Sequence, residues 1–147
     1  MSADDVKKLR EMTGAGVMDS KSALEDAGGD FEKAAAIIKE RGLEKADKKA
    51  GRTLSAGLID SYVHNNRVGV LINVSCETDF VARLDVFKSL VHDVAMQIAA
   101  MNPKDVPELM TQAHIKDEST TIEELVKGTI AKLGENIKVE RFTRYEI

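Results

Sequence analysis

Cys76, Glu77, Thr78 and Asp79 place a thiol, two carboxylates and a hydroxyl in four consecutive positions. A thiol attacks as its thiolate, which a neighbouring base or cation must stabilise. The three histidines, His64, His92 and His114, fall in different predicted elements, and their spacing matches neither a metal-ligand set nor a nucleophile–base pair. The residue types therefore argue against an enzyme: Cys76 reads as a small buried thiol, and no catalytic or metal-binding residue is assigned. Gly14-Ala15-Gly16 does not make a phosphate-cradling loop either, because no strand precedes it and no GK[ST] follows. What remains is the ring at the end of the polar run. Phe80 is one of four phenylalanines in a chain with two tyrosines and no tryptophan, and it falls in a turn. Such a ring either folds back to cap the core or projects as a wedge into a partner, presented by a turn that Thr78 and Asp79 shape.

The elements around that turn define the fold class. Leu58–Val63 and Val68–Val74 flank His64-Asn65-Asn66-Arg67 and predict a β-hairpin. Gly69 inside the second strand predicts a bulge or a close backbone approach. After the turn, Val86, Phe87, Leu90, Val91, Val94, Ile98 and Met101 recur on one helical face that ends before Asn102-Pro103. A weakly patterned short helix follows over residues 106–113. Thr120 or Thr121 then caps a helix that Gly134 stops. Residues 137–147 alternate as a strand with one covered face. The expectation is three antiparallel strands backed by helices, in an α+β domain over residues 57–147.

Residues 1–42 read as three short helices. Ser2 caps the first, in which Ala3, Val6 and Leu9 repeat at helical spacing, and Thr13-Gly14-Ala15-Gly16 ends it. The second runs roughly from Val17 to Ala27 and stops at Gly28-Gly29. Asp30 caps the third, and Gly42 is expected to close it. Lys7 and Arg10, one turn apart, form an ordinary solvated face or, if the bundle docks on a partner, part of its contact together with Val17 and Met18. Residues 43–56 are basic, alanine-rich and helix-permissive, as expected of a helical linker.

Composition narrows the classes further. The 147 residues carry 21 Lys and Arg against 25 Asp and Glu, and the net charge of −4 opposes a chain that grips nucleic-acid backbone. All of that excess lies beyond residue 52, since residues 1–52 hold 11 charges of each sign. The acidic, polar start predicts no signal peptide, and no apolar run approaches membrane-spanning length. A single cysteine excludes an intrachain disulfide and fits a reducing compartment.

Three segments resemble the elongation factor Ts family. They are Val6-Lys7-Lys8-Leu9-Arg10-Glu11-Met12-Thr13-Gly14-Ala15-Gly16-Val17-Met18-Asp19, with Lys21, Ala23-Leu24 and Gly29-Asp30 after it; Val74-Ser75-Cys76-Glu77-Thr78-Asp79-Phe80-Val81-Ala82-Arg83; and Ile130–Ile137 through Arg141-Phe142. The similarity covers nearly the whole chain, with the motifs in the family's order. It implies a cytoplasmic guanine nucleotide exchange factor for the GTPase elongation factor Tu, with no cofactor and no reaction of its own, whose N-terminal bundle resembles a ubiquitin-associated domain. Thr78, Asp79, Phe80 and Val81 map onto the segment that enters the GTPase behind its Mg²⁺ site, and Lys7, Arg10, Val17 and Met18 onto the docking face of the bundle. Longer members carry a protruding helical hairpin between the core helix and the late helix. Only residues 102–120 occupy that place here. The core occurs once, and short members pair, so the resemblance implies a homodimer with a shared sheet.

Overall fold

The computed structural model describes residues 2–147. Three helices open the chain: α1 (Ala3–Thr13), α2 (Val17–Asp26) and α3 (Phe31–Lys49). Each start has a local cause. Ser2 and Asp5 form a capping box at α1, Gly16 enters α2 without a side-chain cap, and the Asp30 carboxylate accepts from the Glu32 and Lys33 amides at α3. Gly14 ends α1 in the left-handed conformation, at φ 73°. Leu9, Ala23, Leu24 and Ala34 make the bundle's own small core, with Val6, Phe31 and Ile38 packed around it.

Gly42 does not close the third helix. α3 runs through it to Lys49, so the expected boundary at residue 42 falls inside a continuous helix and the first part of the linker is the last two turns of α3. A glycine in mid-helix costs only about 1 kcal/mol, and packing on α7 (Ile122–Leu133) outweighs it. A Cβ at Gly42 would stand 3.5 Å from that of Ala131; Lys39 pairs with Glu124 at 3.4 Å and Asp47 with Lys127 at 3.0 Å. Ala46, near the end of α3, is buried in the core of the second half.

That second half follows the expected α+β plan. β1 (Ala56–His64), β2 (Val68–Cys76) and β5 (Ile137–Glu146) form an antiparallel sheet with β2 in the centre. Asn65 and Asn66 both adopt positive φ, as a type I′ hairpin turn requires. Val70, Ile72, Val74, Ile137 and Val139 face Phe87, Leu90, Val91, Val94 and Ile98 of α5 (Asp85–Met101) across the main core. The close backbone approach lies at Gly57, not Gly69. A Cβ on Gly57 would stand 2.3 Å from the Val74 carbonyl oxygen, whereas one on Gly69 would meet nothing within 4 Å.

The alternation of the last strand is broken where Asn73 pairs with Arg141 and Val74 with Val139, leaving Glu140 as an extra residue. The bulge changes which side chains face the core. Phe142 and Arg144 turn inward, Arg144 donating to the Ala99 carbonyl at 3.0 Å, while Tyr145 is turned outward, on the same sheet face as the exposed Ile59, Val63 and Leu71. Between α5 and α7 stand a short helix, α6 (Val106–Thr111), and a hairpin absent from the sequence-based expectation, β3 (Ala113–His114) with β4 (Asp117–Thr121). No long helical hairpin rises there.

Candidate functional site

The polar run after β2 folds into a single helical turn, α4 (Asp79–Ala82). Thr78 is its cap, and its hydroxyl accepts from the Val81 amide at 3.3 Å. Val81 and Ala82 are 3% and 8% exposed and belong to the main core, whereas Phe80 is 72% exposed. The arrangement follows from helical geometry: once the two following side chains are sunk in the core, the ring before them must point to solvent. Phe80 is therefore not a core cap. Val81, expected beside it at a partner contact, is instead the anchor that seats the turn, because its side chain packs inside its own fold.

The turn is held from outside by residues 57–59 positions later in the chain. The Glu135 carboxylate accepts from the Glu77 amide at 3.1 Å, the Thr78 amide at 3.0 Å and the Thr78 hydroxyl at 2.6 Å. In return the Glu77 carboxylate accepts from the Asn136 amide at 2.7 Å. The buried Asn136 side chain donates to the carbonyls of Ala50 and Arg52, both at 3.2 Å, where the chain leaves α3. Arg52 approaches Glu77 at 3.6 Å and donates to the Gly134 carbonyl at 3.3 Å. Sequence reasoning assigned no role to Glu135 and Asn136. Both follow the Gly134 stop and fall in the Ile130–Ile137 segment that resembles the family, but neither signal says what lies opposite.

Cys76 closes the root of the turn, its thiol donating to the Thr78 carbonyl at 3.3 Å. Burial pushes this thiol up, and the nearby Glu135 carboxylate adds to the effect. It is thus held protonated, as the sequence reading of an inert buried thiol expects. The histidines do not converge into one site. His114 is buried in the small hairpin, His92 lies 3.5 Å from Asp60, and His64 accepts or donates with the Tyr62 hydroxyl at 2.9 Å. Among the described residues no group of three or more His, Cys, Asp or Glu is placed to hold a metal ion.

The second set of expected residues lies on the bundle. Lys7 and Arg10 are exposed on α1, and Val17 and Met18 are 50% and 76% exposed at the start of α2. Arg10 also has a local partner: its Nε donates to the Ala15 carbonyl at 3.4 Å across the loop that presents Val17 and Met18. The structure thus ties Arg10 to the loop that precedes the two apolar residues, with Lys7 one turn back on the same helix.

Residues 77–147 match the family described as Elongation factor TS. Over its full length the chain is 44% identical to elongation factor Ts of Thermotoga petrophila, covering 96% of that protein, and 43% identical to elongation factor Ts of Coprothermobacter proteolyticus, covering 98%. A rice protein described as a chloroplastic polyprotein of EF-Ts is 44% identical over 97% of this chain, which spans 17% of that longer protein. The first alignment runs over 191 positions against 147 residues here, so the bacterial relative carries residues with no counterpart in this chain. The class is that of the translation elongation factors. Within it, the chain belongs to the elongation factor Ts family.

Proposed function

We propose that this protein is a guanine nucleotide exchange factor for elongation factor Tu and works in the cytoplasm. Phe80 carries the reading: a large apolar ring, 72% exposed, on a turn whose other apolar residues are locked in the core. An exposed side chain on a rigid support can enter a partner without first losing much conformational freedom. Thr78 and Asp79 flank it, and Lys7, Arg10, Val17 and Met18 supply a second contact that docks the bundle on the GTPase. With the ring behind the Mg²⁺ site, the metal loses support and the diphosphate of GDP is left poorly neutralised. Binding free energies are reciprocal, so a factor that loosens GDP is itself loosened by nucleotide. It holds the empty GTPase and leaves when fresh nucleotide arrives. No bond is made or broken, and the protein needs no acid, base or metal of its own.

The exposed Ile59, Val63, Leu71 and Tyr145 on the uncovered sheet face, with open strand edges at β1 and β5, support a homodimer that joins the two sheets. Light scattering that gives a stable monomer at micromolar concentration removes the dimer without touching the exchange reading.

The test of exchange is release of fluorescent GDP from elongation factor Tu. The intact chain accelerates release, and Phe80→Ala loses most of the acceleration with folding unchanged. No acceleration by the intact chain would leave a translation-associated binding protein without exchange activity, and equal acceleration by both chains would remove Phe80 from the mechanism.

A further inference from the structure

We infer that Glu135 is the positioning residue for the Phe80 turn, an assignment that rests on the exchange reading above. Three observations carry it. One carboxylate engages every free donor on the approach to α4, namely the Glu77 amide, the Thr78 amide and the Thr78 hydroxyl, at 2.6–3.1 Å. Hydrogen bonds to an ionised acceptor are the strong ones. The hydroxyl it fixes is the one that accepts from the Val81 amide, so Glu135 sets the rotamer of the helix cap as well as the path of the backbone. The grip is also mutual, since the Glu77 carboxylate takes the Asn136 amide at 2.7 Å, and neither segment can shift without releasing the other.

A one-turn helix has no stability of its own. Without the carboxylate, the Glu77 and Thr78 amides turn to water and the Thr78 hydroxyl is free to rotate away from Val81. Phe80 would remain exposed but would sample many directions, and the cost of ordering it would fall on the moment of insertion. Glu135 touches neither nucleotide nor metal in this account. It acts wholly through the ring.

The experiment uses the full chain with elongation factor Tu, comparing Glu135→Ala, Glu135→Gln, Phe80→Ala and the double variant Glu135→Ala/Phe80→Ala. Maximal GDP release and half-saturating factor concentration are measured for each, and amide hydrogen exchange at Glu77, Thr78 and Val81 is followed in the free protein. Glu135→Ala lowers the maximal rate on the order of tenfold and speeds exchange of the three amides. Glu135→Gln, which keeps one carbonyl acceptor, restores much of both. The double variant is no slower than Phe80→Ala alone, because the two residues act in series. Unchanged amide protection in Glu135→Ala, or losses that multiply in the double variant, would overturn the assignment. If amide protection falls but Phe80→Ala releases GDP at the full rate, the role given to Phe80 in the exchange reading is what fails, while the clamp itself stands.

Discussion

Two surfaces stand out on this protein, and they are built by opposite means. The Phe80 turn is fixed from three sides, by Val81 and Ala82 in the core, by the Thr78 cap and by the Glu135 carboxylate. The loop before Met18 has far less behind it. Gly16 enters α2 without a side-chain cap, a Cβ there would meet nothing within 4 Å, and the loop is tied by the bonds of Arg10 to Ala15 and of Thr13 to its neighbours. A rigid aromatic delivers a directed push, whereas a flexible methionine two positions after a glycine adapts to the shape it meets. Under the exchange proposal this contrast is a division of labour: one surface would do work on the partner and the other would find it.

Phe80→Ala is the strongest way to break that comparison. It should lower maximal nucleotide release by at least about tenfold, the scale of a buried aromatic anchor at an interface, while urea unfolding is unchanged. Thr78→Val comes next, since it removes the cap and the donor to Glu135 together. We expect a stability loss of about 1–2 kcal/mol in urea and slower release with little change in docking. Met18→Ala should do the reverse, raising the half-saturating concentration by about threefold to tenfold at an unaltered maximal rate. The smallest effect is the sharpest discriminator. Gly16→Ser offers α2 a hydroxyl cap in open space and should raise stability by only a few tenths of a kcal/mol. If adaptability of that loop matters, docking should fail to improve despite the gain.

Much of this was legible in the chain. The two asparagines with positive φ, the helical stripe from Phe87 to Ile98 and the stop at Gly134 are local signals, and local chemistry decided them. The prominence of Phe80 was legible for a different reason: a ring in a polar run is conspicuous wherever it points. Its direction was not, because that depends on Val81 and Ala82 finding the core. The misreadings share one physical origin. Gly42 looks like a helix stop until α7 lies alongside it, Gly69 looks like the crowded glycine until β1 and β2 are registered, and the bulge at Glu140 exists only opposite Asn73. Glu135 is the extreme case, since its meaning lies entirely in a segment about sixty residues away that topology alone brings near.

The buried Cys76 has a practical consequence for watching this machine at work. As the single sulfhydryl in the sequence, sealed under the turn and pushed toward its protonated form, it should resist maleimide and other alkylating dyes under native conditions. A cysteine introduced elsewhere on the surface would then take a fluorophore or spin label alone, with the natural one left in place.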